Sequence, residues 1–74
     1  MPVLPALSGR QVVRVFEKLG WIAARQRGSY TVMTKQGAFV SLSIPDHKEV
    51  AKGTLRSLIR LSGLTIEQFL SALN

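Results

Sequence analysis

The chain has no cysteine, a single histidine and only four acidic residues among its 74 positions. Without cysteine it can form neither a disulfide scaffold nor a thiolate metal site. Since a lone imidazole and scattered carboxylates do not form a metal-ligand set, we do not expect a metal enzyme. A chain of this length forms one domain, 1–74, with a small core and little room for a deep substrate cavity.

Long apolar runs and glycine-rich loops are also missing. No run approaches the ~18 apolar residues of a membrane span. The first residues lack the charged region and apolar stretch of a signal peptide. No phosphate-binding loop of the nucleotide type is present. We therefore expect a cytoplasmic protein with no membrane segment and no nucleotide site.

The charge is strongly positive, with ten Lys and Arg against four Asp and Glu, a net charge of +6. This excess favours polyanions, namely nucleic acid, an anionic membrane or an acidic protein. Because the charges are spaced along predicted elements and are not gathered in a tail, nucleic acid is the first interpretation. The alternative is that the charge only keeps a small domain soluble.

Two capping boxes and two glycines mark three helices. Ser8-Gly9-Arg10-Gln11 and Thr65-Ile66-Glu67-Gln68 have the capping-box pattern. The first opens an apolar stripe that predicts a helix over 9–19, ended by Gly20. The second predicts a short third helix. Between them, an apolar stripe before Gly63 predicts helix 2. This helix begins either after Thr54, as its N-cap, or earlier, with Lys52 already inside it.

The middle of the chain predicts three strands joined by short turns. The strands cover 21–26, 30–34 and 39–44, and the turns cover 27–29 and 35–37. In the third strand Val40, Leu42 and Ile44 share one face, and Pro45 ends it. The order α-β-β-β-α-α predicts an α+β two-layer sandwich, a three-stranded antiparallel meander with helices on one face.

Basic residues recur every four positions on the two longer helices. They form one ladder of Arg10, Arg14 and Lys18 and a second of Lys52, Arg56 and Arg60. Such ladders can follow the phosphates of an RNA helix, where contacts go mainly to the backbone and the 2′-hydroxyls. The alternative is the ordinary solvated side of an amphipathic helix.

The first hairpin turn carries the densest group of candidate site residues, Arg25, Arg27, Gly28, Ser29 and Tyr30. Glycine allows a tight turn here, and two guanidinium groups lie beside it. Such an arrangement can bind a phosphate group. Tyr30 can stack on a base, donate a hydrogen bond to a phosphate or act as a weak acid. A tyrosine side chain, with an ordinary pKa of ~10, is a poor general base. The alternative is a hairpin with two solvated arginines.

His47 is the other candidate. An imidazole can act as a general base or hold a phosphate near neutral pH. The alternative is a loop histidine that caps a strand or helix end. A site of Ser29, His47 and Asp46 is disfavoured, because adjacent Asp46 and His47 do not easily make the usual orienting bond.

These pieces together resemble the HicA-type, or YcfA-like, toxins of HicA/HicB toxin–antitoxin pairs. The matching segments are Leu7-Ser8-Gly9, Leu19-Gly20-Trp21, Arg25-Gln26-Arg27-Gly28-Ser29, Pro45-Asp46-His47-Lys48-Glu49 and Gly53-Thr54-Leu55-Arg56-Ser57-Leu58-Ile59-Arg60. They cover nearly the whole chain in order. The resemblance implies a double-stranded-RNA-binding-domain-like fold and an mRNA endoribonuclease that needs no metal or cofactor. It also implies a HicB-like antitoxin partner that blocks the active site.

One position departs from the family. The family's proposed catalytic histidine directly follows the Gly-Ser turn, where this chain has Tyr30. Three interpretations stay open: an inactive RNA binder, a nuclease that uses Tyr30 or His47 differently, and a detoxified partner that still titrates an antitoxin. In the first hypothesis, a HicA-like nuclease, the turn arginines and Ser29 hold the scissile phosphate and the second ladder holds the RNA backbone. The second is a non-catalytic module that binds RNA or an antitoxin.

Overall fold

The computed structural model describes residues 3–73 and has the predicted order of elements. The elements are α1 (Gly9–Lys18), β1 (Ile22–Arg27), β2 (Tyr30–Thr34), β3 (Leu42–Pro45), α2 (Lys52–Ser62) and α3 (Ile66–Ser71). The three strands form one antiparallel sheet in the order β1-β2-β3, and the helices flank it. The α+β class and the α-β-β-β-α-α layout are confirmed.

Both predicted capping boxes are present at the helix starts. The Ser8 hydroxyl accepts from the Gln11 backbone N–H at 3.2 Å, and the Gln11 side chain accepts from the Ser8 N–H at 2.8 Å. Thr65 and Gln68 repeat this arrangement at 3.0 and 2.8 Å. Each box satisfies two backbone donors that a helix start leaves unpaired, so the sequence pattern alone locates these ends.

The start of α2 differs from the capping prediction. Thr54 lies inside the helix, which begins at Lys52 after Ala51, and no side chain caps it. Thr54 as the cap was therefore wrong, and the alternative with Lys52 inside the helix is correct. The predicted stop is confirmed, since Gly63 has a φ of 79°, in the left-handed region that glycine tolerates.

The core lies between the helices and one face of the sheet. Phe16 of α1 is fully buried, with its ring centroid 6.3 Å from that of Trp21 and 5.3 Å from that of Phe69. Trp21 is therefore core, as predicted, and Phe69 attaches the short α3 to the same cluster. From the sheet, Met33 and Leu42 are fully buried.

The third strand begins three residues later than predicted and includes Pro45. Phe39 is fully exposed and Val40 is 42% exposed, because both lie in the loop before β3. Met33 pairs with Leu42, and this register buries Leu42 while leaving 39–41 beyond the ladder. Pro45 pairs with Tyr30 at the end of an edge strand, where its missing N–H is tolerated.

This correction has a stability consequence. We expect Phe39→Ser to change the free energy of unfolding by less than about 0.5 kcal/mol, because its side chain has no packing to lose. Leu42→Ala should cost roughly 2–5 kcal/mol through lost burial and a cavity. Urea unfolding of both variants measures the difference. A loss at Phe39 as large as that at Leu42 would place Phe39 in the core.

Candidate nucleic-acid interface

The sheet has one covered face and one open face. Side chains alternate between the faces along a strand. Met33 of β2 and Leu42 and Ile44 of β3 are fully buried in the core that the helices complete. Tyr30 and Val32 therefore point to the opposite, open face, and Tyr30 is 46% exposed.

The hairpin register places the two turn arginines on this open face. Arg27 pairs with Tyr30 and Arg25 pairs with Val32 across β1 and β2. Directly opposite residues in an antiparallel pair share a face, with their Cβ atoms ~4.5–5.5 Å apart. Both arginines are exposed. Two guanidinium groups and a phenol therefore project together from the side of the sheet opposite to the helices.

A two-residue turn and a shallow groove complete this surface. Gly28 has a φ of 58°, as a tight turn requires, and apart from its chain neighbours no atom of the described residues lies within 4 Å of the position that a Cβ would take. The groove, about 260 Å³, is lined by Arg27, Tyr30, Val32 and Ser43. Its surroundings are open enough for an anion to approach both the backbone of the turn and the arginine side chains.

Residues 45–47 meet the same end of the sheet. The backbone N–H of Asp46 donates to the Ser29 carbonyl oxygen at 2.7 Å, and the His47 carbonyl oxygen accepts from the Gly9 N–H at 2.9 Å. The helix contact of His47 is thus made by its backbone, and its side chain is exposed. The structure therefore brings Ser29, Tyr30 and His47 to one end of the sheet.

A close approach at Gly9 fixes this loop. Gly9, the first residue of α1, is buried, and a Cβ built there would collide with the Pro45 carbonyl oxygen. A second hydrogen bond, from the Val50 N–H to the Leu7 carbonyl oxygen at 2.7 Å, holds the other end of the loop. The sequence places Gly9 in a capping box at the start of a helix, but it does not predict this contact, because a contact 36 positions distant has no local signal.

The two basic ladders lie on helices that cover the opposite face of the sheet. Arg10 is the second residue of α1, whose first residue, Gly9, bonds to the 45–50 loop, and Lys52 begins α2 just after that loop. Since a helix rises 1.5 Å per residue, Lys18 and Arg60 lie about 12 Å further along their helices. All six side chains are exposed. The start of each ladder therefore lies next to the 45–50 loop, and the remainder of each ladder lies further from it.

Among residues 3–73 no group of three or more His, Asp or Glu side chains is placed to hold a metal ion. Over the same range, no helix combines the length and the apolar character needed to cross a membrane.

The fold and the surface describe a small basic α+β protein in which, over residues 3–73, helices cover one face of the sheet and leave the other open. A family model described as the HicA toxin of bacterial toxin–antitoxin systems matches residues 9–64. Because this match covers 56 of the 74 residues, the chain belongs to the HicA toxin family, and it is a toxin component of a toxin–antitoxin pair. The predicted resemblance is confirmed. No curated protein and no solved structure matches the chain.

The matched region runs from the first residue of α1 to two residues past α2. It therefore contains the hairpin turn, the 45–50 loop and both ladders. The short α3, which Phe69 anchors in the core, lies outside it.

Proposed function

We propose that this toxin binds RNA at the hairpin end of the open sheet face and cleaves mRNA in the cytoplasm as a metal-independent endoribonuclease. A HicB-like antitoxin would block the site. The observation that carries the proposal is the projection of Arg25, Arg27 and Tyr30 from the helix-free face beside an unobstructed turn. The net charge of +6 supports a polyanionic substrate. In this proposal residues 1–74 act as one domain.

The turn supplies the phosphate site. A planar guanidinium group can donate two parallel hydrogen bonds to two oxygens of one phosphate. Arg25 and Arg27 point to the same side of the strand. Gly28 leaves space for a phosphate oxygen to reach the backbone, and the Ser29 hydroxyl adds a donor. From the ladders, Arg10 and Lys52 contact the nearest nucleotides. The more distant phosphates are held by Arg14, Lys18, Arg56 and Arg60.

The chemistry needs a base and an acid. In cleavage without a metal the ribose 2′-hydroxyl attacks the adjacent phosphorus and the 5′-oxygen leaves, so one group accepts a proton and another donates one. His47 carries the chain's only imidazole and is the proton acceptor in this proposal. Tyr30 donates its phenolic hydrogen to the phosphate or to the leaving oxygen. The pairing of Tyr30 with Pro45, two positions before His47, supports this assignment.

The test is incubation of the purified chain with a long mRNA in the presence of a chelator. We expect the natural chain to cut, and we expect Tyr30→Phe and His47→Ala each to slow cleavage roughly a hundredfold or more, the usual contribution of a general acid or base. Tyr30→Phe keeps the ring and removes only the hydroxyl. Unchanged cleavage in both variants would remove these residues from the mechanism.

The identity of residue 30 favours a second candidate, a non-catalytic module that binds RNA or titrates an antitoxin. The resemblance places a histidine directly after the turn, and this chain has Tyr30 there. A Tyr30→His variant separates the two candidates in the same assay. If only the variant cuts the mRNA, the scaffold is a nuclease without its base and the natural toxin works by binding. Cleavage by the natural chain supports the first candidate.

A further inference from the structure

A second groove, about 230 Å³, lies between α1 and the covered side of the sheet. It is lined by Gly9, Arg10, Val13, Arg14, Glu17, Thr31, Ile44, Pro45 and Asp46. Sites for drug-sized ligands usually span ~300–1,000 Å³. This groove therefore suits one small, flat ring.

Half-buried and charged side chains both line the groove. Val13 and Thr31 line the groove and are half-buried, so their methyl groups can contact the face of an aromatic ring, whereas Ile44 is fully buried. Arg10 and Arg14 supply two cations that can stack on a base or bind its phosphate. Unstacked RNA bases commonly stack on arginine guanidinium planes, so these two side chains suit a nucleobase.

Two carboxylates, Glu17 and Asp46, also line the groove. Asp46 is the one joined to the RNA site. Its backbone N–H binds the Ser29 carbonyl oxygen at 2.7 Å, and the preceding Pro45 pairs with Tyr30. A strand whose phosphate lies at the turn can therefore continue around the end of the sheet into the groove.

We propose that the groove between α1 and the sheet binds one unpaired guanine of the RNA, with the Asp46 carboxylate as the recognition group. Guanine is the one base with two adjacent donors, N1–H and N2–H, on its pairing edge, and these match the two acceptor oxygens of a carboxylate. Adenine and cytosine present an acceptor next to the amino group, and uracil presents one donor between two acceptors. The inference deepens the proposed function and rests on RNA binding at the turn.

The test is binding to four short oligouridines that differ only in one central G, C, A or U. The strands carry 2′-O-methyl groups, which remove the attacking hydroxyl and so prevent cleavage. We expect the natural chain to bind the G strand roughly tenfold more tightly than the others, within the discrimination of a bidentate contact. Asp46→Asn should reduce this preference to less than about twofold, since one acceptor becomes a donor.

Glu17→Gln is the matched control, because it removes the other carboxylate of the same groove and should keep the preference for G. Both side chains are exposed, so neither variant disturbs the core. Equal affinity for the four strands, or a preference that survives Asp46→Asn, would overturn the guanine pocket and leave RNA binding intact. Failure to bind any strand would overturn both this inference and the proposed function.

Discussion

Arg27→Glu is expected to weaken RNA binding roughly tenfold to a hundredfold at about 0.1 M salt, since it removes a phosphate contact and adds a like charge beside the RNA. Arg27 lies opposite Tyr30 on the open sheet face and lines the groove at the turn. Its side chain is exposed, so the change should leave the fold intact. Fluorescence anisotropy with a labelled single-stranded RNA measures the affinity.

Lys35→Glu is the matched control for this prediction. It makes the same change in net charge on an exposed residue. Lys35 directly follows β2, and Tyr30 lies at the other end of that strand. We expect less than about a threefold effect, because a distant surface charge is largely screened beyond ~10 Å at this salt concentration. Equal losses in the two variants would show that net charge, and not the hairpin surface, governs binding.

Gly9→Ala should destabilise the protein by roughly 1–3 kcal/mol or more, the cost of forcing an atom into a packed site. The added methyl group would collide with the Pro45 carbonyl oxygen, which the β3 pairing with Tyr30 holds in place. In a small domain this is a large share of the total stability. Thermal and urea unfolding measure it, and a lower RNA affinity should accompany it because the loop at the site must move.

Gly53→Ala, the same substitution at another helix start, is expected to stabilise the protein. Gly53 also lies in the first turn of a helix, but no atom is within 4 Å of the position that its Cβ would take. Alanine there should stabilise the protein by ~0.5–1 kcal/mol, because a glycine in a helix loses more backbone entropy on folding. Similar effects of the two substitutions would contradict the close approach of α1 to Pro45.

The features predicted correctly from sequence are those with a local signal. Both capping boxes consist of residues three positions apart, and the stops at Gly20 and Gly63 depend on one residue's freedom to adopt positive φ. The turn at Gly28 is of the same kind. Such features need no knowledge of the rest of the chain.

Apart from the cap of α2, the errors concern contacts that are distant in sequence. The alternation of apolar and polar residues predicts a third strand that includes Phe39 and Val40. In the structure the register with β2 is set by burial of Leu42 and Ile44, and the strand begins at Leu42. An irregularity between Ala23 and Arg25 was also missed, since a bulge has no fixed residue pattern.

The candidate site shows the same division. The grouping of Arg25, Arg27 and Tyr30 around one turn was visible in sequence. The predicted turn, 27–29, was one residue too long, because Arg27 belongs to β1 and pairs with Tyr30. The bond from the Asp46 N–H to Ser29, which brings the segment with His47 to the hairpin end, depends on the β2–β3 register and on the packing of Gly9. Neither has a sequence signature. The groove at Asp46 was missed for this reason.

The most direct test of the hairpin surface as the RNA site is the salt dependence of RNA affinity, measured for the natural chain and an Arg25→Ala/Arg27→Ala double variant. For the natural chain we predict a linear fall of log K with the logarithm of the salt concentration. In the double variant the slope should be smaller by about one to two units, because each lost phosphate contact removes about 0.7–1 unit. An affinity independent of salt, or an unchanged slope in the double variant, would contradict this account of the toxin.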